Sequence, residues 1–254
     1  VHGDKVQNFS AEAVSGASGG NIGVAGSVAI NVADAKSRAE IKSGATVTLS
    51  GGSGDVSLAT ESTTAAKADA QAKSDATSGK VGIGLSVGLN IANSESVATI
   101  ADTAIVTGGH DMGLTADSDN TSTTGAQAGG SATGGSGVGI GGAIAIAVVN
   151  NTTTAELGSG ADLSVSGHLR AAASHKGVTT TLADGTATGD KAGVGIALGL
   201  NVVNDMTLAT TERNLTVGGD VEFSAHNAAA SAAETKASST GGKEESTPAG
   251  SDKK

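Results

Sequence analysis

One cassette of sequence recurs four times along this chain, and a tandem repeat limits the possible fold more than any single residue does. The openings of the cassettes occupy residues 22–34, 81–93, 138–150 and 194–204, and the second of them reads VGIGLSVGLNIAN. The polar residue that closes each opening, Asp34, Asn93, Asn150 and Asn204, returns after 59, 57 and 54 residues. A unit of this length that recurs in tandem buries its apolar face by stacking on its neighbours.

Within an opening the side chains alternate strictly. Val81, Ile83, Leu85, Val87, Leu89 and Ile91 fall on one face, and Gly82, Gly84, Ser86, Gly88 and Asn90 on the other. Period 2 with β-branched enrichment predicts a strand, and the usual rule places its aliphatic face inside. A short second strand follows in each cassette (Ala45 to Leu49, Ala104 to Val106, Ala161 to Val165, Leu215 to Val217), then a Gly turn. A third apolar pair comes after the turn: Val56/Leu58, Met112/Leu114, Leu169/Ala171 and Val221/Phe223. The cassette ends in a stretch of small residues. Ala65 to Lys73 has helical propensity, but its counterpart at 121–130 is Thr- and Gly-rich, so both are read as strand or loop.

The expected fold is therefore all-β, a right-handed parallel β-solenoid (β-helix) built from four repeats of about 57 residues. Its divisions are 1–21 (end of a preceding repeat), 22–80, 81–137, 138–193, 194–238, and a tail or linker at 239–254. Starting at Val1 and lacking a polar cap, the chain reads as an excerpt of a longer array. Two coil geometries fit the period: three coils of about 19 residues per cassette, or one broad, flattened coil with two long strands.

Composition supports a thin, elongated body. The chain has 254 residues, of which 40 are Gly, two are Phe and none is Trp, Tyr or Cys. Without large side chains a wide core cannot be filled. The regular alternation argues against disorder, the other reading of so Gly-rich a chain. A net charge of −10 with scattered basic residues argues against nucleic acid, and no apolar run is long enough for a transmembrane helix. Lack of cysteine suits a cytosolic protein or a bacterial exoprotein stabilised by stacking.

Chemistry-bearing motifs are sparse. Gly16 to Gly20 fits a nucleophile elbow, and Gly137, Gly139 and Gly142 fit G-x-G-x-x-G, but so much Gly produces both by chance. Asp55, Asp111, His168 and Asp220 recur just after the Gly turns. They are read as turn-forming side chains, with calcium ligation by Asp55, Asp111 and Asp220 as the alternative; no other cofactor is expected. Two columns, the amides Asn31, Asn90 and Asn201, then Asp34 with the amides Asn93, Asn150 and Asn204, are expected as structural ladders at the corners. The five His residues lack zinc spacing and are read as exposed turn positions.

GVGIGGAIAIAVVNN at 137–151, ADTAIVTGG at 101–109 and GDVEFSA at 219–225 resemble the repeat regions of very large Gram-negative exoproteins, the filamentous-haemagglutinin-like and autotransporter-type adhesins. The likeness covers about residues 1–238. It implies an extracellular or cell-surface shaft that is exported unfolded and is not an enzyme. Its partners would be neighbouring repeats of a parent chain and a host or neighbouring-cell surface. The implied function is a stalk segment, an extended spacer in cell attachment or biofilm; a solenoid module binding glycan or protein, or a calcium-binding repeat, are the alternatives.

Overall fold

A computed structural model describes residues 1–50 and 53–242, the side chains of residues 2–5 excepted. Gly51 and Gly52 of the first turn, and all but the first four residues of the 239–254 tail, lie outside the described residues.

The chain winds as a parallel β-solenoid. A long strand crosses one face, a short strand turns the corner, and a second long strand returns across the opposite face. Strand β1 (His2–Gly19) comes first, followed by β2 (Ile22–Ile41), β3 (Thr46–Thr48) and β4 (Gly54–Ala76). The same order repeats in β5 (Val81–Ile100), β6 (Ile105–Thr107) and β7 (Gly109–Ala132), then in β8 (Val138–Leu157), β9 (Leu163–Val165) and β10 (Leu169–Gly189). Strands β11 (Ala192–Thr211), β12 (Leu215–Val217) and β13 (Val221–Thr240) complete it.

All pairing is parallel. The first sheet stacks β2, β5, β8 and β11; the second stacks β1, β4, β7, β10 and β13. Val81 pairs with Ile22 on one side and Val138 on the other, so each cassette makes one broad coil. Consecutive coils lie about 4.8 Å apart, and a strand of twenty residues spans about 66 Å. The described slab is thus thin but broader across its strands than along its axis, which corrects the expectation of elongation. Ala65 to Lys73 is part of β4, so helical propensity yielded to the ladder.

The interior reverses one expectation. Gly82, Gly84, Ser86, Gly88 and Asn90 face inward, while Leu85 is exposed and Val81, Ile83, Val87, Leu89 and Ile91 look outward, shielded only by neighbouring strands. In the first coil Val24, Val28 and Ile30 are exposed, and Ala25, Ala29 and Asn31 are buried. Thickness decides this polarity. A Cβ on Gly82 would lie 2.0 Å from the Ser131 carbonyl oxygen, and one on Gly84 2.3 Å from that of Gly129. The two sheets press backbone to backbone at this edge, where only Gly, Ala, Ser and similar small groups fit.

The cross-section widens toward the short strands, and there a conventional aliphatic core forms. Ile100, Leu58, Met112, Leu114, Leu157, Leu163 and Leu169 are at most 2% exposed and pack with Val106 and Val165. The third apolar pairs of the first three cassettes thus pack where the alternation places them, whereas Val221 of the fourth is exposed. Most large aliphatic side chains of the interior gather at this edge, and Val149 is buried apart from it, beside Ala33, Ala66 and Ala92.

Candidate functional site

Between the sheets the small-residue rows leave room for polar side chains, which bond along the axis and across it. Asn31 Nδ2 donates to Asn90 Oδ1 at 2.8 Å, and Asn90 Nδ2 donates to the Ala66 carbonyl at 2.9 Å and to Ser122 Oγ at 3.0 Å. Ala147 interrupts this row in the third coil. Asn201, in the fourth, donates to Ser231 Oγ and the Ala232 carbonyl and accepts from Thr181. These amides sit in mid-strand and not at corners, because their register places them among the inward small residues.

The second expected column lies on the opposite face. Asp34, Asn93, Asn150 and Asn204 point outward in one register row. Asn150 Nδ2 donates to Asn93 Oδ1 at 3.0 Å, and Asp34 pairs with Lys36 at 3.5 Å.

The post-turn column is tied to backbone. Asp55 Oδ1 accepts the Asp111 N–H at 3.1 Å, Asp111 Oδ1 accepts the His168 N–H at 2.7 Å, and His168 Nδ1 accepts the Asp220 N–H at 3.0 Å. Each side chain thereby satisfies a donor of the next coil. Asp55, His110 and Asp111 also converge, with ligand atoms within 4.8 Å. Two carboxylates and one imidazole fall short of the six to eight oxygens that calcium takes. The carboxylate oxygens nearest the imidazole already hold backbone donors.

Two centres escaped the sequence reading. His175, 1% exposed and inward on β10, is not a turn residue. Its Nδ1 lies 2.7 Å from Ser118 Oγ, itself 2.6 Å from Thr153 Oγ1, and its Nε2 lies 3.5 Å from Asp205 Oδ1. Asn151 Nδ2 donates to Asp205 at 2.6 Å and Asn151 Oδ1 accepts from Asn120 at 3.1 Å. Burial pushes the imidazole below its ordinary value, opposed by the Asp205 and Asp119 carboxylates. Ser, His and Asp in contact suggest nucleophilic catalysis. Both Ser118 and His175 are sealed between the sheets, however, and the adjoining void lined by Asn120, Asn151 and Thr179 measures about 10 Å³. At most one water fits there. In the register of the cassettes, Asn151 and Asp205 sit one place past Asn150 and Asn204, the signal that could have found them.

Arg213 is the second centre. Its guanidinium and Nε donate to the carbonyls of Gly158 (2.6 Å), Ala104 (2.9 Å), Ala101 (3.2 Å) and Ser159 (3.4 Å). One side chain from the fourth coil thus reaches loops of the third and second. Burial lowers its pKa, countered by Asp102.

The outer faces differ. Behind β4, β7 and β10 lies a polar surface with an open trough of about 400 Å³, bordered by Gln71, Lys73, Gln127 and Asp184. The face of β2, β5, β8 and β11 is aliphatic over half its length. Among the described residues no helix is long and apolar enough to cross a membrane.

Fold and interior together place the chain in the class of flattened parallel β-solenoids whose coils are joined by polar ladders. No family model, curated protein or solved structure matches it.

Proposed function

We propose that the chain is a structural segment of a large secreted or cell-surface bacterial adhesin, a stiff stalk element without catalytic activity of its own. The observation that carries this reading is the axial continuity of polar bonding. Asp55, Asp111 and His168 each hold the backbone of the next coil, and Arg213 links three coils. Such links resist sliding and peeling of coils, the loads that a stalk bears. Each cassette adds only about 4.8 Å of height, so breadth and stiffness are what it supplies best.

The test places the chain between an outer-membrane anchor and an antigen-binding domain on a bacterium. Capture of antigen-coated beads should track the number of cassettes and ignore Lys73→Ala or Asp184→Ala in the polar trough. A binding module for glycan or protein, the second reading, is favoured by that trough. It would show cell attachment without the added domain, and attachment would fall with either trough variant.

A further inference from the structure

We infer that the aliphatic half of the outer face formed by β2, β5, β8 and β11 is a self-association surface that takes a second copy of this chain, face to face. From the row of Ile22 to the row of Val32, every outward position across the four coils is Gly, Ala, Val, Ile or Leu. Val28 at 60%, Ile30 at 56% and Leu198 at 51% exposure lie in open solvent. Scattered exposed apolar residues are ordinary, but a continuous patch of several hundred Å² marks an interface.

Area and shape select the occupant. Eleven residues along the strands by four strands across cover about 700 Å², so two copies would bury about 1,400 Å², within the range of stable protein interfaces. The patch is a flat, ridged sheet, and the surface that best matches it is another sheet of the same period packed about 10 Å away. Charge agrees with this choice. The patch carries none, while Lys36, Arg38, Glu40, Glu95 and Glu156 lie beyond it on the same face, toward the short strands.

A two-fold axis parallel to the solenoid axis brings apolar rows together and leaves those charges outside the overlap. It sets the row of Ile22 against that of Val32, and the hollow over Gly26, where an added Cβ would touch nothing, against Val28 of the second copy.

Analytical ultracentrifugation of the whole chain tests this, with Val28→Glu, Leu198→Glu and Thr123→Glu as variants. The first two add charge to the patch; the third adds it to the exposed opposite face. The wild type should sediment as a dimer at micromolar concentration and remain so in high salt. Val28→Glu and Leu198→Glu should each return the monomer with unchanged far-ultraviolet circular dichroism, and Thr123→Glu should stay dimeric. A monomeric wild type, or a dimer indifferent to both patch variants, would overturn the inference. So would a monomer that binds neutral phosphatidylcholine vesicles through the patch, which would make a lipid surface the occupant.

Discussion

Asn31 donates its amide to Asn90 at 2.8 Å across one coil step, and both side chains lie between the two sheets while their aliphatic neighbours face solvent. Removing Asn90 strands the Asn31 donor and frees Ser122 and the Ala66 carbonyl. Asn90→Ala should lower unfolding stability by about 2–4 kcal/mol. Ser86, equally buried, has a hydroxyl without a hydrogen-bond partner. Ser86→Ala should therefore be neutral or stabilising by up to about 1 kcal/mol. Urea unfolding of both variants reads the contrast, and equal losses would refute it.

His175 makes stability depend on pH. Its folded pKa lies below the ordinary 6.5, so in the interval beneath 6.5 the unfolded chain binds the proton more readily. Its contribution is complete above that value and is lost as pH falls toward the folded pKa. The urea midpoint should drop on acidification below 6.5 in the wild type and drop less in His175→Gln. Identical slopes would exclude His175 as the cause.

Arg213 anchors four carbonyls in two other coils. Arg213→Ala should cost about 3 kcal/mol, and Arg213→Lys should restore little, since one ammonium cannot span four acceptors. Thermal unfolding of the pair measures this, and full rescue by Lys would show that charge alone matters.

Asp111 separates the turn reading from the calcium reading. Asp111→Asn keeps an oxygen for the His168 N–H and should be almost as stable as wild type, whereas Asp111→Ala should lose about 1 kcal/mol. Titration calorimetry with calcium should give no saturable heat. A micromolar binding isotherm abolished by Asp111→Asn would establish a metal site.

The tandem period, the strands and the wide-edge core of Leu58, Met112 and Leu114 are legible because each follows from local alternation. Sidedness is not. Alternation of Ser86 with Val87 marks two faces, but which one is inside depends on how closely Gly82 and Gly84 approach Ser131 and Gly129, some 45 to 49 residues away. The rule that aliphatics go inside fails where the sheets leave no room for them. His175 and Arg213 escaped for the same reason: each looks like an ordinary polar residue until the coils bring partners from 24 to 112 residues away.

The sidedness of the first strand can be measured directly, since the chain has no native cysteine. Ser27→Cys and Val28→Cys would be made in the Leu198→Glu background, chosen so that self-association does not cover position 28, and labelled with a maleimide under native conditions. A thin interior of small residues predicts rapid labelling at position 28 and protection at position 27 until the chain unfolds. Rapid labelling at 27 with protection at 28 would mean that the aliphatic face is the buried one, and the inside-out architecture would be wrong.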